Sequence, residues 1–227
     1  MKAEPEQGWQ GAPLPRGRHK LSAATVRASQ RERALRAMIE CVGEQGWAKT
    51  TVPDVVARAR VSRNSFYEHF EDKTACFLAA LDDAARELLD AMFALASEPD
   101  WITALEHGMR AYLGAWREQP ALCRAYFVEL SFVGPRGLVQ REHNFGQFEL
   151  MFRVLAGRAR EELPHLPELS PLVPRLVVVG ITDIVGAAVR AGELESLVER
   201  EGELVTLIVR LLADDATARE RLGSASS

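Results

Sequence analysis

Long apolar runs are missing from this 227-residue chain. None reaches the roughly 18 residues that a membrane-crossing helix needs; the longest, around Leu176–Ile181, is broken by Gly180. The first residues are polar and include Glu4, Pro5 and Glu6, so no secretory leader is expected and a cytoplasmic location is. Cysteine is scarce. Cys41, Cys76 and Cys123 are odd in number, far apart and set among apolar residues, which fits reduced thiols rather than a disulfide framework. The histidines (His19, His69, His107, His143 and His165) are scattered. There is no H-E-x-x-H, no pair of cysteine ligands, no glycine-rich phosphate loop and no G-x-S-x-G. No metal, cofactor or catalytic site is therefore expected, although His143 beside Glu142 or Glu149 leaves an acid/base or metal cluster as a rival arrangement.

Excess positive charge is lacking too. Lys and Arg number 28 against 32 Asp and Glu, a net −4 that taken alone argues against nucleic acid. Counted by segment, the charge says something else. Residues 1–75 hold thirteen bases and nine acids (+4), and Gln10 to Phe70 holds eleven against five (+6). The remainder carries fifteen against twenty-three (−8). Such asymmetry points to a basic binding module joined to an acidic body. With 47 % apolar and 26 % charged residues, the chain has the material for a sizeable core.

What is present is helical periodicity. No internal repeat or alternating strand pattern interrupts it, so the expected fold is all-α. Small residues, Gly and Pro dominate Gly8–Pro15, and residues 1–24 read as a flexible basic arm. Leu35, Met38, Ile39 and Val42 follow the i, i+3, i+4, i+7 spacing of a first helix that stops at Gly46. Thr51-Val-Pro-Asp54 opens a second helix with a capping box and Pro in the first turn. Ser62 caps a short third helix that buries Phe66 and Phe70. Asp72 caps a fourth, running to about Ser97. Beyond Pro99, helices are expected near Trp101–Arg117, Pro120–Phe132, Arg136–Glu162, Pro171–Ala191 and Leu194–Ala213. This divides the chain into the arm, a three-helix DNA-binding domain at 25–75, a larger helical regulatory and dimerisation domain at 76–216, and a disordered tail at 217–227.

Two short helices joined at Ala59-Arg60-Val61 and packed on a preceding helix make a helix-turn-helix. In that geometry the second helix lies in the major groove of double-stranded DNA. Its outward positions Ser62, Arg63, Asn64, Ser65, Tyr67 and His69 carry suitable chemistry. Arg can bond guanine bidentately, Asn can bond adenine, and Ser, Tyr and His can bond phosphate. Thr51 and Lys73 begin the flanking helices, where backbone N–H groups also favour phosphate. Periodicity of this kind also arises in short amphipathic helix pairs that bind nothing, so spacing alone leaves both open.

The stretch from Thr51 to Lys73, above all Val61-Ser62 followed by Phe66-Tyr67-Glu68-His69-Phe70 and Lys73, resembles the DNA-binding signature of the TetR family of bacterial transcriptional regulators. The resemblance is close over about Gln30–Leu81; the remaining two-thirds is similar in length and helical layout. It implies an N-terminal helix-turn-helix domain, a divergent helical ligand-binding domain and a dimer interface from two C-terminal helices. Carried over by position, Thr51, Ser62, Arg63, Asn64, Ser65, Tyr67, His69 and Lys73 become DNA contacts, and Phe66 and Phe70 core. Two positions depart from the pattern: Arg60 stands where Gly is usual, and Val56 where a small Ala is usual. A non-Gly residue at φ > 0 costs about 1 kcal/mol or more, so either the turn differs or Arg60 tolerates strain and adds a phosphate contact. Arg16, Arg18 and Lys20 of the arm suit a minor groove or simply solvent.

In the regulatory half, Trp101, Met109, Tyr112, Trp116, Phe127, Phe132, Phe148 and Phe152, with Tyr126, Phe145 and Met151 beside them in the sequence, can line an apolar ligand cavity; Glu129, His143, Asn144, Gln147 and Asp183 are its polar candidates, Asp183 as a ligand contact or an intersubunit hydrogen bond. The apolar stretches at 174–191 and 197–212 suit an isologous four-helix homodimer interface. The expected function is a repressor that binds a pseudopalindromic operator and is released by a small, largely apolar effector. An activator, or a regulator controlled by a protein partner, is the alternative.

Overall fold

A computed structural model describes residues 22–94, 98–166 and 168–213, and within them every regular element is helical. The helices are α1 (Ala23–Gln45), α2 (Val52–Ala59), α3 (Arg63–His69), α4 (Lys73–Ala94), α5 (Trp101–Glu118) and α6 (Pro120–Arg124). After a π-helical turn (Ala125–Glu129) and a 3-10 turn (Leu130–Val133) come α7 (Pro135–Glu162), α8 (Val173–Ala191), α9 (Leu194–Glu199) and α10 (Glu201–Leu212).

Local chemistry sets several boundaries. The Ser22 hydroxyl accepts from the Thr25 N–H and starts α1 two residues inside the expected arm. Gly46 ends that helix at φ 86°, a left-handed-region angle that favours glycine. Thr51 and Asp54 form the reciprocal capping box of α2, the Thr51 N–H donating to the Asp54 carboxylate at 2.8 Å. Asp72 caps α4 by accepting from the Ala75 N–H at 2.6 Å; the expected extension to Ser97 lies outside the described residues.

Two long helices expected after Pro99 are broken. Pro120–Phe132 is a short α-helix followed by the π and 3-10 turns, which closes the segment against both α1 and α8. Leu194–Ala213 breaks at Arg200, just before Glu201 pairs with Arg110 of α5 at 3.0 Å and Gly202 lowers helix propensity.

Helix α1 is the hub of the first half. It packs on α2, α3 and α4 and also on α6, so the expected division at residue 75 is bridged in space. Met38, Val42, Val55, Phe66 and Phe77 are fully buried in a core continuous with Leu113 and Val209 further along the chain. Where α1 crosses α6 the backbones nearly touch: a Cβ built on Gly43 would lie 2.6 Å from the Ala121 Cα. All three cysteines are buried and free; burial pushes the Cys76 thiol up to about 12 and that of Cys123 up to about 11, so neither offers a thiolate.

Candidate nucleic-acid interface and apolar cavity

The turn between α2 and α3 confirms the departure noted at Arg60. Its backbone sits at φ 53°, ψ 46°, left-handed, and it is the single positive-φ non-glycine residue among those described. Arg33 of α1 secures the turn by donating Nη1 hydrogen bonds to the Ala59 and Arg60 carbonyls at 3.0 and 3.1 Å. These are the orphan carbonyls that any helix end must satisfy. Arg58 is held by a bidentate pair to Glu44, and that hydrogen bonding raises its already high pKa.

Helix α3 leaves Arg63, Asn64, Tyr67 and Glu68 exposed and sinks Ser65 and Phe66. The Arg63 guanidinium stands 5.6 Å over the Tyr67 ring, which meets the buried Phe66 edge to face. Ser62 is exposed at the N-cap and accepts from the Ser65 N–H. Thr51 is exposed at the start of α2, and exposed Lys49 stands two residues before it. Lys49 is a basic residue that helical spacing does not single out, since it lies in a loop.

Three expected contacts are corrected. Ser65 is buried against α1 with its Oγ closed off. His69 is half-buried and its Nε2 is enclosed. Lys73 points inward: its Nζ donates to the Trp47 and Thr50 carbonyls at 2.9 and 2.8 Å and lies 3.8 Å from the Trp47 ring centroid. Burial lowers its pKa. It clamps the α1–α2 loop rather than offering a free cation. Arg16, Arg18 and Lys20 lie outside the described residues, as does the tail at 217–227.

Behind this module a cavity of about 750 Å³ opens between α4, α5, α6, α7 and α8. Met109, Tyr112, Trp116, Phe148 and Phe152 line it as expected. Four other candidates do not. Trp101 is fully buried at the start of α5, and Phe127 packs behind Trp116 and against Gly186. Phe132 is 67 % exposed on the 3-10 turn, and Asp183 faces outward on α8. Helical spacing identified large side chains but not which face each would take. Tyr126, counted among the rings of this half, lines it too, and residues that the spacing left out include Leu88, Met92, Leu122 and Thr182. Tyr112 is pushed up to about 12 by burial, against the hydrogen bonds of Thr182 and Trp116, so it stays a neutral phenol. Burial raises Tyr126 as well. Of the charged lining residues, Glu87, Arg110, Arg117 and Glu118 are exposed at the rim and Arg158 is half-buried.

Cavity and helix-turn-helix meet at one buried carboxylate. Glu129, on the π turn that also carries Tyr126, accepts from the Trp47 backbone N–H at 2.8 Å and pairs with Arg124 at 3.3 Å. A second tie runs through α4, where Asp83 pairs with Arg31 of α1 at 2.7 Å. Among the described residues no helix is long and apolar enough to cross a membrane, and no cluster suits a metal ion.

A helix-turn-helix with Arg63, Asn64 and Tyr67 on its free face, joined to a helical body with an apolar cavity, defines a DNA-binding transcription regulator. Residues 34–80 match the model described as bacterial regulatory proteins, tetR family, so this segment carries that family's DNA-binding signature. No curated protein matches it. Among solved structures it is similar to the transcriptional regulator FadR from Bacillus subtilis in complex with stearoyl-CoA, at TM-score 0.71 and 14 % identity over 79 % of this chain and 98 % of that one. The fatty acid degradation regulator FadR from Bacillus halodurans gives 0.69 and 14 % over 78 % and 94 %. SmeT, the repressor of the Stenotrophomonas maltophilia multidrug efflux pump SmeDEF, gives 0.65 and 20 % over 82 % and 91 %. At these identities the likeness is one of fold.

Proposed function

We propose that the chain is a homodimeric, cytoplasmic repressor, without catalytic activity, that reads a pseudopalindromic operator and is released by a small, largely apolar effector. The observation that carries this reading is the large apolar cavity set directly behind a helix-turn-helix and tied to it through Glu129. A protein-controlled regulator would have no need of it.

Arg63 and Asn64 would read base edges, with Tyr67, Ser62, Thr51 and Arg60 at phosphate. An exposed apolar stripe supports the dimer: Leu172, Leu176 and Ile184 along α8, with Leu207 and Leu211 on α10. Gly180, with nothing near it, allows close helix approach on that stripe. The two recognition helices would then stand roughly 34–36 Å apart, one turn of DNA. An effector pressing on Leu122 and Tyr126 would move the segment that holds Trp47 and so the spacing of the two heads. The coupling is bounded by the effector's differential affinity for the two arrangements. Similar folds include a repressor and a regulator in complex with stearoyl-CoA, which agrees with this reading.

The test is site selection from random duplex DNA by the purified protein, followed by release with a panel of small apolar compounds. A palindromic site should emerge, and the Arg63→Ala/Tyr67→Ala double variant should lose it. Unchanged binding by that variant would remove α3 as the reading element.

A further inference from the structure

We propose that Asn144 is the polar anchor of the cavity and that the effector is an uncharged, mainly apolar molecule bearing a carbonyl-type acceptor: a ketone, ester, lactone or amide. This rests on the effector reading above and narrows it to a chemical class.

Two side chains fix the orientation of the Asn144 amide. A carboxylate can only accept, so Asp82 of α4 requires the amide nitrogen of Gln140, which donates to it at 3.1 Å. The same Nε2 donates to Asn144 Oδ1 at 3.0 Å. The Asn144 oxygen is thus engaged by a neighbour whose own orientation is set, and its Nδ2 must point elsewhere. That nitrogen has two N–H groups and no partner among the described residues, although Asn144 is 1 % exposed and forms part of the cavity wall. Buried polar groups are almost always satisfied; this donor is closed off, and a ligand acceptor would complete it as the side chain turns toward the cavity.

Charge selects against the other acceptors. The cations that line the cavity already have carboxylate partners: Arg110 with Glu201 at 3.0 Å, Arg158 with Glu162 at 2.8 Å and Arg117 with Glu195 at 3.8 Å. An anionic head beside Asn144 would be buried without a counter-ion, far costlier than burying a neutral dipole. The phenols of Tyr112 and Tyr126, both raised by burial, remain protonated and add donors rather than charge. A hydrocarbon would fill the volume and leave the amide unpaired. The anchor also touches the regulatory path: its partner chain ends on α4 at Asp82, beside the Asp83 that holds Arg31 of α1.

The experiment uses the full-length protein and displacement of N-phenyl-1-naphthylamine, a neutral apolar fluorophore, by 2-decanone, decanoate and decane near neutral pH. The ketone should displace it about tenfold more effectively than decane, the worth of one buried hydrogen bond, and more effectively than decanoate. Asn144→Leu should abolish the preference for ketone over decane while retaining dye binding. Asn144→Ala should do the same and guards against a misfolded leucine variant. Dye binding with no ketone preference, a preference for decanoate, or a preference that survives in both variants would overturn the proposal and leave the cavity reading standing. Failure of every apolar probe to bind would remove the effector reading itself.

Discussion

Replacing Gly43 by alanine sets two physical effects against each other. Helix propensity alone favours the change by about 1 kcal/mol, because glycine is a poor residue in the interior of a helix such as α1. The contact with α6 opposes it. The new Cβ would lie 2.6 Å from the Ala121 Cα, 2.7 Å from its Cβ and 2.8 Å from its carbonyl oxygen. Two of those atoms are backbone and cannot rotate away. Restoring ordinary contact, 3.4 Å or more, requires α6 to retreat by nearly 1 Å. Overpacking of this kind costs about 1–3 kcal/mol, and the rigidity of the neighbour puts Gly43 at the upper end. The net expectation is a loss of about 1–2 kcal/mol, or roughly 3–6 °C in Tm for a chain of this size. Because Leu122 of α6 lines the cavity, affinity for an apolar dye should fall as well. The control is Gly157→Ala in α7, where nothing lies within 4 Å and propensity should prevail. Thermal and urea unfolding of both variants decides the matter. A Gly43→Ala protein as stable as the parent would refute the close-packed junction between α1 and α6.

Arg60→Gly should stabilise the protein by up to about 1 kcal/mol, since release of left-handed strain outweighs the extra freedom of glycine in the unfolded chain. The urea midpoint reads this, and a parallel fall in the salt slope of operator binding by about 1 would show a phosphate contact at Arg60. Glu129→Ala leaves the half-buried Trp47 N–H without its acceptor and should cost about 1–3 kcal/mol, whereas Glu129→Gln keeps an acceptor and should cost less. An alanine variant matching the parent in unfolding would show that the junction does not depend on this carboxylate. Burial pushes the Asp83 carboxyl up, but its hydrogen bonds and charge contacts with Arg31 and Arg86 outweigh this and hold it below the ordinary value. Its contribution to stability is therefore complete above the unfolded value of about 3.9 and is lost as pH falls below that, through the native pKa. Melting followed from neutral pH into this acid range should fall less steeply in Asp83→Asn than in the parent.

Features decided by a few neighbouring residues were legible in the sequence. The Thr51/Asp54 capping box, the Ser62 cap and the strained Arg60 turn each depend on chemistry within four residues. So did the inward face of Phe66 and Phe70, whereas Ser65, read as outward, is buried beside Phe66. Lys73 could not be resolved this way, because its carbonyl partners lie 26 and 23 residues earlier. The cavity shows the same limit. Tyr112 and Trp116, at i and i+4 on α5, share a face and both line it, but Phe132 left the set when its expected helix became a 3-10 turn. Asn144 was one of several polar candidates on the helices of this half, but its particular role depends on Asp82, 62 positions away, through Gln140.

The crossing of α1 over α6 bears on how the molecule opens as well as how it is built. Arg31, Gly43 and Trp47 all take partners from beyond residue 75, so the DNA-reading helices have no independent route to unfolding. Their backbone amides should exchange with solvent only when the whole body opens, at a rate set by global rather than local stability. Anything that occupies the cavity then slows hydrogen exchange in α3, although no atom of the occupant touches that helix. The protection of a few recognition-helix amides thus becomes a remote gauge of how full the cavity is.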